Sequence, residues 1–117
     1  MSLDILFLDP ETKEPLCCDF SPNITGNLVA YADFLKIYEL LWHPNKTEGI
    51  FINPERITAI DMLPLLYQAH YIVVTKGDTA IHLLPKNGWG DKDCFNRFLT
   101  EYMHSCFKYP NAIIKTC

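Results

Sequence analysis

At 117 residues, 49% hydrophobic and 21% charged, the chain buries a core unaided, hiding roughly 65% of its unfolded surface. That composition excludes a disordered tail, and no apolar run reaches the roughly 18 residues a membrane helix needs. The net charge of −4 splits into −6 over residues 1–61 and +2 over residues 62–117, without a basic stripe for phosphate, which argues against nucleic-acid binding.

The opening run Leu3-Asp4-Ile5-Leu6-Phe7-Leu8 reads as a strand closed by an Asp9-Pro10-Glu11-Thr12 turn. Leu16 to Phe20 is predicted to return as a second strand and complete a hairpin. Ser21 or Asn23 is the candidate N-cap of a first helix. Its apolar positions Ile24, Leu28, Tyr31, Leu35, Tyr38 and Trp42 step by four and three, which aligns six large side chains on one face. Pro44 supplies the stop. Asn53-Pro54-Glu55 reads as the N-cap, first residue and first-turn acid of a second helix running toward Val74. Pro64 is expected to kink or divide that helix, and Lys76-Gly77-Asp78 to end it. Thr79 to Leu84 fits a short strand or a turn equally.

Pro85 to Gly90 forms a tight loop, and Asp91 is the N-cap of a third helix over residues 92–108. That helix is expected to bury Cys94, Phe95, Phe98, Leu99, Tyr102, Met103, Cys106 and Phe107. Arg97, Thr100, Glu101, His104 and Lys108 face outward. A Tyr109-Pro110-Asn111 turn leads into a last strand from Ala112 to Thr116. The predicted fold is α+β in a single globular domain, 1–117. Three helices pack on a small, mostly antiparallel sheet whose terminal strands are adjacent.

Four short motifs carry a resemblance: Asn23-Ile24-Thr25-x-Asn27-Leu28, Ile37-Tyr38-x-x-Leu41-Trp42-x-Pro44, Asn87-Gly88-Trp89-Gly90 and Tyr109-Pro110-x-Ala112. In this order they resemble a family of small uncharacterised bacterial and phage proteins, over most of residues 3–114. The family has His where this chain has Gly26, and Gly where it has Lys36. The resemblance therefore implies a weaker break in the first helix here, and it implies no activity.

Patterns that carry chemistry are scarce. Five cysteines are an odd count, Cys17 and Cys18 are adjacent, and the first residues show no export signal. Reduced thiols in a cytoplasmic protein are the economical expectation, so the two N-x-[ST] tripeptides at Asn23 and Asn45 are discounted as glycosylation sites. Cys94 and His104 share a helix but lie about 80° apart in azimuth and about 15 Å apart along its axis, too far for a dyad. No zinc-type spacing and no glycine-rich phosphate loop occurs. Asp91 and Asp93 are explained by the helix dipole. The expectation is accordingly no catalytic residue, no metal and no cofactor.

What remains points to binding. Asn23, Thr25 and Asn27 would either grip a partner or cap a helix, and Trp89 would be either an interface anchor or a core lid. Trp42 is expected in the core with its indole N–H bonded to a backbone carbonyl. The reading is a small acidic protein-binding module, an inhibitor or immunity-type protein that covers a bacterial toxin or effector. Its partner would be another, basic, protein, steered by the acidic half. Glu11, Glu14, Asn23, Asn27 and Trp89 are the candidate contact residues. The alternatives are a structural or regulatory homo-oligomer joined through a helix face, and, third, a Cys/His-dependent enzyme.

Overall fold

A computed structural model describes residues 3–16, 23–24, 26–46, 51, 53, 56–84 and 91–116. The chain is α+β. Strand β1 (Leu3–Leu8) is central in a three-stranded antiparallel sheet, flanked by β2 (Asn23–Ile24) and by β3 (Ile113–Thr116). Leu8 of β1 faces Ile113 and Ile5 faces Thr116. Strict alternation along β1 buries Leu3, Ile5 and Phe7 while Asp4, Leu6 and Leu8 stay half-buried, as a strand with one core face requires. Phe7 meets the rings of Tyr102 and Tyr109 at centroid distances of 6.1 and 6.4 Å, which ties β1 to the last helix and the turn after it.

The turn after β1 closes through Asp9, whose amide donates to the Glu14 carbonyl and whose Oδ1 accepts from the Glu11 and Thr12 amides. Those two donors hold the Asp9 carboxyl below its usual range. Pairing on the return arm reaches Pro15 and Leu16. The rest of the predicted Leu16–Phe20 strand lies outside the described residues. Asn23 does not cap a helix: its backbone pairs with Asp4 in the sheet.

The first predicted helix is two helices, α1 (Val29–Phe34) and α2 (Tyr38–Trp42), preceded by a 3₁₀ turn over Gly26–Leu28. The chain therefore has four α-helices among its described residues rather than three. The break falls at Lys36, which adopts a left-handed conformation with φ of 62°. A break weakened by the lack of glycine was expected there; it is complete. Tertiary contact holds it, because Leu35 and Ile37 on either side are both buried. The stripe survives the break. Ile24, Leu28, Tyr31, Leu35 and Trp42 are buried, and Tyr38 is half-buried, stacked on Trp42 at 5.3 Å.

Helix α3 (Ala59–Lys76) starts later than the Asn53-Pro54-Glu55 motif suggested. Its N-cap is Thr58, in a capping box with Asp61: the Thr58 amide donates to Asp61 Oδ2 at 3.1 Å. Residues 57–60 are spoken for by the segment around β3. The Ile114 amide donates to the Ile57 carbonyl and the Ala59 amide to the Ala112 carbonyl, so the chain stays extended until Thr58. Pro64 does not divide α3, which is continuous across it. Proline in the second turn forfeits one backbone bond, and an exposed ring meets no packed neighbour.

After Lys76 the chain tightens into a 3₁₀ helix over Gly77–Leu83, neither the strand nor the simple turn that its sequence suggests. Gly77 is required there: the Tyr31 hydroxyl, donating to the Gly77 carbonyl at 3.1 Å, occupies the place of a Cβ. Helix α4 (Lys92–Lys108) is capped by Asp91, whose Oδ1 accepts from the Cys94 amide at 2.7 Å. It buries Phe95, Phe98, Leu99, Tyr102, Met103 and Cys106, but Cys94 and Phe107, expected inside, are exposed. Cys94 lies off the packed arc of α4, and Phe107 sits at its edge with its ring against Tyr67 of α3. Among the described residues α3 and α4 pack together more extensively than any other pair of elements.

Candidate functional site

Helix α3 carries two apolar rows. Ala59, Met62, Leu66, Ala69 and Val73 step by three and four and are buried to the last residue. A second row, Ile60, Pro64, Tyr67, Tyr71 and Val74, steps by four and three, and all five are exposed. At about 100° per residue the centres of the two rows lie about 140° apart around the helix, so only one of them faces α4 and the core. The other faces outward. Between Asp61 and Lys76 no Asp, Glu, Lys or Arg interrupts α3. Charge is confined to its two ends.

Phe107 of α4 extends this face, its ring set against Tyr67 at 6.4 Å in an edge-on arrangement. Ile60, Tyr67, Tyr71, Val74 and Phe107 are between 50% and 67% exposed. Tyr67, Gln68, Tyr71 and Ile72 line a shallow concavity of about 410 Å³ on the same helix. Aromatic side chains around uncharged concave surface are the composition of an interface centre, where charged residues are depleted. Single exposed apolar residues are ordinary; a contiguous row of this kind is not. Sequence reasoning missed these residues. The signal was present as a second four-three register inside the apolar stretch from Ile60 to Val74.

The residues singled out from sequence fall elsewhere. Glu11 and Glu14 are exposed in the turn after β1. The acidic half is not uniformly negative there. Lys13, Arg56 and Lys115 line a polar cleft of about 430 Å³ beside that turn, and Arg56 donates to the Pro10 carbonyl at 3.1 Å. Asn23 takes a strand position and Asn27 a 3₁₀ position, so both amides sit on backbone other than the helix start expected for them. Their side chains, and the expectations placed on Thr25 and Trp89, lie outside what is described. Trp42 is buried, but its Nε1 has no hydrogen-bond partner, in contrast to the carbonyl bond expected.

Among the described residues no group of three or more His, Cys, Asp or Glu side chains could hold a metal ion. Cys94 and Cys106 are free thiols; Cys17, Cys18 and Cys117 lie outside the described residues. Burial pushes the Cys106 thiol up to about 12, away from the reactive thiolate. Burial likewise raises Tyr102 well above the ordinary phenol range. Among the described residues no helix is long and apolar enough to cross a membrane. Comparison of the chain with protein families, with curated proteins and with solved structures gives no match.

Proposed function

We propose that this protein acts by binding another protein rather than by chemistry. The observation that carries the reading is the outward row of α3, an uncharged aromatic face joined by Phe107. The specific form we favour is an inhibitor or immunity-type protein of bacterial or phage origin, working in the cytoplasm by covering a basic effector. The net charge of −4 supports the basic partner, because opposite charge raises encounter rates. The exposure of Glu11 and Glu14 in a turn braced by Asp9 supports a steering role for them. The resemblance to small bacterial and phage proteins supports the same setting.

The test uses paired variants. Affinity capture from the source cell with the parent chain is compared with capture by Tyr67→Lys/Tyr71→Lys, on surface positions whose change leaves the core intact. A protein retained by the parent and lost by the variant supports the reading; identical capture profiles refute it. With the partner in hand, Glu11→Lys/Glu14→Lys should slow association and leave dissociation nearly unchanged. Added salt should slow it too, as the Debye length falls from about 10 Å at 0.1 M to about 3 Å at 1 M. An on-rate indifferent to both removes the steering role of the turn.

A further inference from the structure

We infer that the occupant of the α3 face is a second copy of this chain, bound antiparallel across a two-fold axis near Tyr67. This rests on reading the face as a protein-binding surface, and it names what that surface meets. The acidic turn lies off α3, so each protomer of such a pair keeps Glu11 and Glu14 free for a further partner.

Area is the first argument. Ile60, Tyr67, Tyr71, Val74 and Phe107, half or more exposed, present about 600 Å² of side-chain surface. Two copies pairing through them bury about 1,200 Å², the lower bound of specific, stable interfaces. Pro64, within the row, and Gln68, beside it, are exposed and add to that area.

Spacing is the second. A row at four-three steps is the seam along which helices pair. Its ends, Ile60 and Val74, are equidistant in sequence from Tyr67. An antiparallel copy therefore sets Ile60 against Val74 at both ends and Tyr67 against itself at the centre. A two-fold interface needs such a self-complementary patch.

Charge sets the direction. The one acid of α3, Asp61, is in its first turn, and its one base other than histidine, Lys76, is its last residue. Antiparallel packing sets the acidic, N-terminal end of each α3 beside the basic, C-terminal end of the other and opposes the two helix dipoles. Parallel packing sets like against like at both ends.

Sedimentation equilibrium of the full chain under reducing conditions, from low to high micromolar concentration, tests the proposal. The parent should approach twice the 13.5 kDa of one chain. Ile60→Lys and Val74→Glu should each weaken association about tenfold or more, by burying an unpaired charge. Each should melt with the parent when both are measured as monomers. An equimolar mixture of the two variants should recover the dimer, since the antiparallel register sets the introduced lysine of one copy against the introduced glutamate of the other. A parent that stays at 13.5 kDa throughout overturns the proposal, as does a dimer insensitive to either charge or a mixture that shows no recovery. If the parent stays monomeric while Tyr67→Lys/Tyr71→Lys loses a captured protein, the second copy is wrong and the protein-binding reading stands. If neither association nor capture responds, both fall.

Discussion

Helices α3 and α4 are nearly equal in length, 18 and 17 residues, and lie packed together, yet they use their apolar residues differently. Helix α4 concentrates all but Cys94 and Phe107 on the arc facing β1 and α3, and Arg97, Thr100, His104 and Lys108 face water. Helix α3 spends one apolar row on the core and holds another in the open, with charge only at its ends. A single stripe reports a core and nothing more. Two stripes on a helix with one packed side report a core and an exposed apolar face, and the proposed binding rests on that face.

The contrast between the two rows of α3 is broken most directly at its centre. Leu66→Ala, on the fully buried row, should cost about 2–5 kcal/mol, measured by urea denaturation. A loss under half that range would mean the buried row is loosely packed. Where α3 ends, Gly77→Ala should cost about 1–3 kcal/mol, because the added Cβ meets the Tyr31 hydroxyl and Tyr31 is fully buried. An unchanged midpoint would show that Tyr31 has room to retreat.

The two sides of α4 are distinguished by their thiols. In the native protein a thiol reagent near pH 8 should modify Cys94 and spare Cys106, whereas denatured, unreduced protein should yield all five thiols. Burial raises the Cys106 pKa from 9.0 to about 12, so the folded state favours the neutral thiol. That contribution is complete below pH 9 and is lost as pH rises toward 12, at up to about 1.4 kcal/mol per pH unit. Cys106→Ala should remove that part of the alkaline slope; an unaltered slope would assign it elsewhere.

The smaller effects concern backbone and surface. Lys36→Gly should stabilise the protein by about 0.5–1 kcal/mol, since glycine adopts φ of 62° without the penalty lysine carries. A destabilised variant would show that the Lys36 side chain contributes more than its backbone costs. Smallest of all, Tyr71→Ser on the exposed row should change monomer stability by less than about 0.5 kcal/mol. Were it to cost as much as Leu66→Ala, the outward row would be packed within the chain and the contrast between the rows would vanish.

Much of the frame was legible because it depends on local chemistry. Period-two burial in β1, the Asp91 cap and the extent of α4 follow from spacing and capping, and all three are read from a few neighbouring residues. The row from Ile24 to Trp42 shows the boundary of such reasoning. Its burial was predictable from its period, yet the helix that carries it is cut at Lys36, since burial of Leu35 and Ile37 outweighs the cost of one left-handed residue. The start of α3 was illegible for a related reason: residues 57–60 are engaged by backbone bonds to residues 110–114, far along the chain. Apolar periodicity states which side chains gain by leaving water. Which of them find a neighbour depends on how many faces of each helix the fold covers, and α3 is covered on one. Sequence thus determined that both rows of α3 are apolar; only the tertiary structure, by seating α4 against one of them, left the other exposed.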